Sequence, residues 1–189
     1  MAVETTRKVS YEEFLDFEGE ETEWYEWVDG EVVVMPPPDN PQELIAIRIG
    51  RELARLGDDP GHGLTLGNML FRVSPTRARI PDLVFIARGK LPLPRKARDL
   101  TVAPDLVVEI LSPSTAGTDL REKRDEYRAA GIPAYWIVDV DVRSVTVWDF
   151  TANPPTAAEH RGRLPWVLGG LLLGEIDLDA LFATEGLLR

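Results

Sequence analysis

Apolar residues along the chain fall into short runs, some with helical spacing and others with the length of a strand. The segment TEWYEWVDGEVVVM contains two strand-like runs joined at Asp29 and Gly30, a strong signal for a β-hairpin. Ser10 stands three residues before Glu13, and this capping-box spacing predicts a short helix ahead of the hairpin. The chain is therefore predicted to begin with a helix and a hairpin.

The middle of the chain continues this mixture of patterns. The prolines at 36–38 end the hairpin, and a helix is predicted with Asn40 as its cap and Pro41 in its first turn. Its apolar residues at helical spacing are Leu44, Ile45, Ile47, Leu53 and Leu56. Short strands are predicted around GLTL, NMLFRV and RIPDLVFIA, and a loop rich in glycine and proline follows them.

The second half of the chain predicts a strand in APDLVVEILSPST, then a helix in DLREKRDEYRAAG that Gly131 closes. AYWIVDV and SVTVWDF predict two more strands, and LLLGEIDLDALF a strand followed by a short helix that covers the sheet. The order is neither all-β nor strictly alternating. The predicted fold class is α/β (α+β), in one domain over residues 1–189, with a central mixed β-sheet flanked by helices.

Composition narrows the chemistry that this fold can carry. The 189 residues are 44% hydrophobic and 28% charged, which is enough for a hydrophobic core that needs no disulfides or structural metals. Because cysteine is absent, disulfides, thiolate zinc sites and cysteine nucleophiles are excluded, which makes carboxylates the leading candidates. The net charge of −11 excludes an extended basic surface, so any nucleic-acid site must be local. With no apolar N-terminal region or membrane-length run, a cytoplasmic protein without membrane contact is expected.

Glu109 lies in the middle of an apolar strand. Side chains alternate along a strand, which places Asp105, Val107, Glu109 and Leu111 on one face and Leu106, Val108 and Ile110 on the other. A carboxylate in such surroundings costs several kcal/mol unless a cation, a hydrogen-bond network or a metal compensates it, or else the group stays protonated. The alternative is that Glu109 reaches water at the end of the strand and pairs with a surface arginine.

Two further charged residues fit the same region. PDLV occurs at 81–84 and again at 104–107, and the first copy places Asp82 at a strand start. Counting from Leu120, Lys123, Tyr127 and Ala130 form one stripe of the predicted helix, so Lys123 points inward. An inward lysine either extends along the apolar stripe towards water or pairs with a buried carboxylate such as Glu109.

The motifs IPDLVFI, APDLVVEILSPST and DLREKRDEYRAAGIPAYWIVDV, with the hairpin segment DGEVVVMPPP, resemble the Uma-type (Uma-two) family. This family is a largely bacterial branch of the PD-(D/E)XK nuclease superfamily, and the resemblance covers nearly the whole chain. It implies a restriction-endonuclease-like core with divalent-metal nuclease chemistry. Asp82 matches the aspartate of the PD element and Glu109 the acidic residue of the (D/E)XK element. The usual lysine position holds Leu111, and Lys123 in the following helix is the matching lysine.

The resemblance implies a role for each of these residues. Asp82 and Glu109 would bind Mg²⁺ or Mn²⁺ with the carbonyl of Ile110, and Lys123 would orient or deprotonate water and offset phosphate charge. DNA is the expected partner, and a homodimer is left open. Many relatives carry a histidine at the start of the helix after the Pro-rich turn, where this chain has Pro41 or Gln42.

Other motifs lead to different classes of function. A nuclease fold without catalysis, acting as a nucleic-acid-binding or interaction module, and a hydrolase of another phosphate ester are the two alternatives. His62 and His160 are predicted in surface loops. SPST at 112–115 is interpreted as a turn and helix cap, because no GxSxG elbow or partner histidine accompanies it.

Overall fold

The computed structural model describes residues 8–20, 23–35, 37–111 and 119–183, so the SPST segment lies outside the described residues. The helices are α1 (Tyr11–Leu15), α2 (Asn40–Leu53), α3 (Asp119–Ala129) and α4 (Leu178–Phe182). The strands are β1 (Trp24–Val28), β2 (Glu31–Met35), β3 (Gly63–Gly67), β4 (Phe71–Ser74), β5 (Arg77–Arg79), β6 (Leu83–Ala87), β7 (Leu106–Ile110), β8 (Ala134–Asp139), β9 (Ser144–Asp149), β10 (Thr156–His160), β11 (Arg163–Leu168) and β12 (Leu171–Asp177).

The central sheet has six strands in the order β10-β9-β8-β7-β6-β3. β7 and β8 are parallel, and the other neighbours in this sheet are antiparallel. Helix α3 connects β7 to β8, as a parallel pair requires a crossover. The sheet is mixed and flanked by helices, which confirms the predicted fold class.

Apolar residues cover both faces of β7, because alternate side chains enter two different cores. Leu106, Val108 and Ile110 pack in the core that contains Ile45, Ile49 and Leu53 of α2. Val107 packs on the other face with Tyr127 of α3 and Tyr135 of β8. All five residues of β7 are buried. Glu109 therefore lies on the face of the sheet that α3 covers.

A second sheet has four strands in the order β2-β1-β5-β4. Its hairpin turns at Asp29 and Gly30, which have φ angles of 52° and 90°, as the Asp-Gly signal predicts. Tyr11 and Phe14 of α1 pack against Trp27 and Ala78 in a third core. Sequence patterns did not predict this sheet, because β1 pairs with β5 about fifty residues later.

The start of α2 differs from the prediction by one residue. Asp39 is the cap, and Asn40 is the first residue of the helix. The Asp39 side chain accepts the backbone N–H of Gln42 at 2.9 Å, and the Gln42 side chain accepts that of Asp39 at 2.9 Å. This reciprocal capping box satisfies two backbone N–H groups at the start of the helix and identifies Asp39 as its cap.

Candidate active site

The pairing of β6 with β7 brings two carboxylates to the same end of the central sheet. Leu83 pairs with Val108, and the next positions in this antiparallel register are Asp82 and Glu109. Asp82 Oδ2 accepts the backbone N–H of Ile110 at 2.6 Å. Burial raises the pKa of Asp82 above its usual value, and the hydrogen bond from Ile110 and the positive charge of Lys123 oppose this shift.

Glu109 is only 7% exposed, so its carboxylate depends on partners inside the protein. Glu109 Oε1 accepts the Tyr127 O–H at 2.6 Å, and the Lys123 ammonium lies 3.3 Å from both of its oxygens. Burial raises the pKa of Glu109 to about 7; the charge of Lys123 lowers it and that of Asp82 raises it further. In the part of the chain that the structure describes, the partners of Glu109 are therefore a buried lysine and a buried tyrosine. The surface arginine of the alternative interpretation is not among them.

Lys123 points into the protein from α3 and is 4% exposed. Its Nζ atom lies near Glu109 of β7 and 3.7 Å from Glu26 Oε1 of β1. The ammonium is thus placed between carboxylates from the two sheets, and the side chain does not extend to water. The stripe of Lys123 and Tyr127 predicted from sequence is the face that α3 buries.

Glu26 belongs to the site and was missed by the sequence analysis. It is 1% exposed, and its Oε2 accepts Arg79 Nη1 at 2.7 Å. Its Oε1 accepts the backbone N–H of Ile80 at 3.1 Å. A usable signal was present, because Glu26 stands in the strand WYEWV as Glu109 stands in LVVEI, a carboxylate among apolar neighbours.

Arg79 connects Glu26 of the second sheet to Glu126 of α3. Its Nε and Nη2 atoms donate to Oε2 and Oε1 of Glu126 at 2.8 and 2.9 Å, a bidentate pair. Arg77 also donates to Glu126 and to Asp29. Burial alone would raise the pKa of Glu126, but hydrogen bonds from Arg79 and Arg77 outweigh it and hold that pKa below its usual value. The second sheet is therefore fixed to α3 by paired charges.

Asp82, Glu109 and Lys123 line a cavity of about 550 Å³. Its other walls include apolar residues of the hairpin, of the segment that follows it and of α2, among them Trp24, Met35, Pro37, Ala46 and Ile47. Gln42 also lines it and donates from Nε2 to the carbonyl of Leu111 at 2.9 Å. Gln42 therefore holds the end of β7 against α2.

Oxygen donors at this cavity suit a divalent cation. Burial raises the pKa values of Asp82 and Glu109, and the positive charge of Lys123 offsets this only in part. Mg²⁺ and Mn²⁺ are bound by few protein oxygens together with waters and substrate oxygens. Within the described ranges no group of three or more histidine, aspartate or glutamate side chains is arranged to hold an ion. Asp82 and Glu109 are the two carboxylates whose chemistry fits such an ion, and Ile110 lines the same cavity.

The two histidines lie away from this cavity. His62 is half-buried just before β3, and His160 is half-buried at the end of β10. Neither residue lines the cavity. Among the helices that the structure describes, none has the length and apolarity to cross a membrane.

Comparison with known proteins agrees with the sequence resemblance. A sequence model of the Uma2 family, described as "Putative restriction endonuclease", matches residues 11–165. Among curated proteins none matches. The fold is similar to that of a crystal structure from Anabaena variabilis ATCC 29413, titled a "putative nuclease belonging to DUF820". That match has a TM-score of 0.76 at 17% identity and covers 93% of this chain and 98% of the other.

These matches settle the fold and the family. At 17% identity the structural match shows the fold alone, and it confirms the predicted restriction-endonuclease-like architecture. The family match spans most of the chain, from α1 to β11. The chain belongs to the Uma2 family of restriction-endonuclease-like nucleases.

Proposed function

We propose that this protein is a Mg²⁺- or Mn²⁺-dependent endonuclease that hydrolyses phosphodiester bonds of DNA at the cavity. The observation that carries the proposal is the placement of Asp82, Glu109 and Lys123 in one cavity, with the ammonium 3.3 Å from the Glu109 carboxylate. Two carboxylates and a lysine form the set that metal-assisted phosphodiester hydrolysis requires. The family and the fold agree with this chemistry.

Asp82 and Glu109, with the carbonyl of Ile110, would hold the ion. A bound divalent ion supplies Lewis acidity, which stabilises charge on the phosphate and lowers the pKa of water. The Ile110 N–H fixes the Asp82 carboxylate, and the Tyr127 O–H fixes the Glu109 carboxylate. Both carboxylates are therefore oriented before any ligand arrives, which reduces the reorganisation needed during the reaction.

Besides the positive charge of the metal ion, the site has a positive charge from the protein, which Lys123 supplies. Its ammonium is withheld from water and faces the carboxylate pair in the cavity. In such a position it can donate hydrogen bonds to phosphate oxygens and orient the attacking water. Apolar residues of the hairpin and of α2 also line the cavity, and such walls lower the local dielectric constant, which strengthens these interactions.

Cleavage of plasmid DNA in Mg²⁺ or Mn²⁺, with an EDTA control, tests the proposal. Lys123→Ala is expected to lower the cleavage rate by about 10²-fold or more, because it removes a positioned electrostatic group. Arg128→Ala is the matched control, since Arg128 is an exposed cation on the same helix. Arg124 is less suitable, because it binds Asp125 and lies 5.2 Å from the Trp148 ring centroid.

The control separates catalysis from general attraction for DNA. Both variants lose one positive charge, so a purely long-range effect would slow both equally. Equal rates for Lys123→Ala and Arg128→Ala would contradict the role given to Lys123. Metal-independent binding of DNA with no cleavage would favour a non-catalytic nuclease fold, and cleavage of small phosphodiesters alone would favour a different hydrolase.

A further inference from the structure

Lys123 is held by carboxylates from two separate sheets. Glu109 belongs to the central sheet, and Glu26 belongs to β1 of the four-stranded sheet. The Lys123 Nζ atom lies 3.3 Å from Glu109 and 3.7 Å from Glu26. Coulomb attraction falls with distance, so two carboxylates at these similar distances attract the ammonium with comparable strength.

The Glu26 carboxylate is itself held rigidly. Arg79 donates to one of its oxygens at 2.7 Å, and the Ile80 N–H donates to the other at 3.1 Å. Arg79 is in turn fixed by its bidentate pair with Glu126. Lys123, in contrast, has a flexible four-carbon stem whose end takes its position from the groups around it. The rigid partner therefore determines where the flexible one lies.

The contact between Lys123 and Glu109 is longer than a tight ion pair. Charge-assisted N–H···O bonds are typically about 2.7–2.9 Å long. The distances from Lys123 Nζ to both Glu109 oxygens are 3.3 Å. An ammonium that had Glu109 as its anionic partner would close this gap, because a buried ion pair needs close contact to offset its desolvation. Glu26 is a second carboxylate that attracts the same ammonium.

We propose that Glu26 is a positioning residue that holds the Lys123 ammonium between the two sheets and away from a closed ion pair with Glu109. This leaves Glu109 available to a cation and directs the ammonium towards a phosphate in the cavity. The inference rests on the proposed nuclease function for its consequence in catalysis. The position of the ammonium itself is a property of the metal-free protein and can be measured without any activity.

Proton–nitrogen NMR of the lysine ammonium groups tests the position directly. The chain has four lysines, Lys8, Lys90, Lys96 and Lys123, so the spectrum is simple, and the Lys123 signal is the one lost in Lys123→Ala. Glu26→Gln keeps the size of the side chain and removes its charge. The Lys123 signal is expected to shift or to broaden through faster exchange with water in Glu26→Gln.

Glu122→Gln provides the matched control. It makes the same substitution at an exposed position of α3, where Glu122 contacts Arg77. The Lys123 signal is expected to stay near its parental position in this variant. An unchanged Lys123 signal in Glu26→Gln, or equal changes in both variants, would overturn the proposal.

Cleavage kinetics then test the consequence for catalysis. Glu26→Gln is expected to lower kcat by about 10-fold while KM for DNA stays within about 2-fold, because the loss acts on the reacting groups. Glu26→Gln added to Lys123→Ala is expected to cause no further loss, since residues that act through one another are non-additive. Additive losses would assign Glu26 a role independent of Lys123 and would refute the positioning role.

Two further outcomes keep the proposal separate from folding and from the proposed function. If Glu26→Gln does not fold, Glu26→Asp keeps the charge on a shorter side chain, and a shifted Lys123 signal with partly reduced kcat is expected. An unchanged signal in Glu26→Asp would count against the positioning role. If the parent protein cleaves no DNA, the nuclease proposal fails while the NMR comparison still decides whether Glu26 positions Lys123.

Discussion

The raised pKa of Glu109 predicts that the metal-free protein loses stability as the pH rises. Burial, opposed by Lys123 and reinforced by Asp82, raises this pKa from its usual value of 4.5 to about 7. The folded protein therefore keeps a proton on Glu109 over a range in which the unfolded chain releases it. The contribution of Glu109 to stability is fully present below about pH 4.5 and is lost as the pH rises through about 7.

The size of this effect follows from the difference between the two pKa values. Each pKa unit corresponds to about 1.4 kcal/mol, so a change from 4.5 to about 7 corresponds to an upper limit of about 3.5 kcal/mol. The Asp82 carboxylate interacts electrostatically with Glu109, which spreads the transition over a wider pH range. The expected loss of unfolding free energy is on the order of 1–3 kcal/mol between about pH 4 and about pH 8.

Urea unfolding in EDTA at several pH values measures this loss. Glu109→Gln has no titrating group at this position, so the difference in unfolding free energy between parent and variant should fall steadily through this range. The pKa of Glu126 is lowered, so its contribution is present above its usual value and is lost only at more acidic pH. The difference in unfolding free energy between the parent and Glu126→Gln should therefore stay constant above about pH 5. A flat difference for Glu109→Gln as well would refute the assignment of a buried, proton-binding Glu109.

Three further predictions concern neighbouring residues. Mn²⁺ should raise the melting temperature of the parent by mass action, because the unfolded chain lacks the metal site, and should leave the melting temperature of Asp82→Asn nearly unchanged. Equal shifts of the two melting temperatures in calorimetric scans would show that Asp82 is not part of the metal site. Tyr127→Phe removes the O–H that Glu109 accepts at 2.6 Å, which should cost about 1–3 kcal/mol in urea unfolding and raise the pH at which Mn²⁺ begins to bind; unchanged stability and Mn²⁺ pH dependence would contradict this role. Gln42→Ala removes a capping-box partner and a hydrogen bond to Leu111, so urea unfolding should show a loss of about 1–2 kcal/mol; unaltered stability would show that neither contact contributes.

Local patterns predicted those parts of the fold that depend on neighbouring residues. The Asp29-Gly30 turn, the capping box of α1 and the buried stripe of α3 follow from spacings of a few residues, and the structure contains all three. The strand β7 was recognisable because its apolar residues cover both faces. These features are encoded within single elements, so one sequence is enough to find them.

The pairing of distant segments could not be predicted in the same way. The four-stranded sheet joins β1 to β5, and the short strand β5 contains two arginines in three residues, which is not an apolar pattern. The role of Arg79 depends on contacts with Glu26 and Glu126, which are about fifty residues away in either direction. Glu26 was detectable as a charge among apolar neighbours, but its partner Lys123 becomes apparent only when the two sheets are seen together.

The charges gathered around the cavity explain why this arrangement suits a divalent ion. Four carboxylates, Asp39, Glu43, Asp82 and Glu109, line the cavity together with one cation, Lys123. With all of them ionised, the sum is four negative charges against one positive charge, a net charge of −3 at the cavity. Burial and this negative charge favour a proton on Glu109, whose pKa is raised to about 7. A divalent cation would neutralise part of the excess and displace that proton, so ion binding, stability and pH are expected to be linked through Glu109.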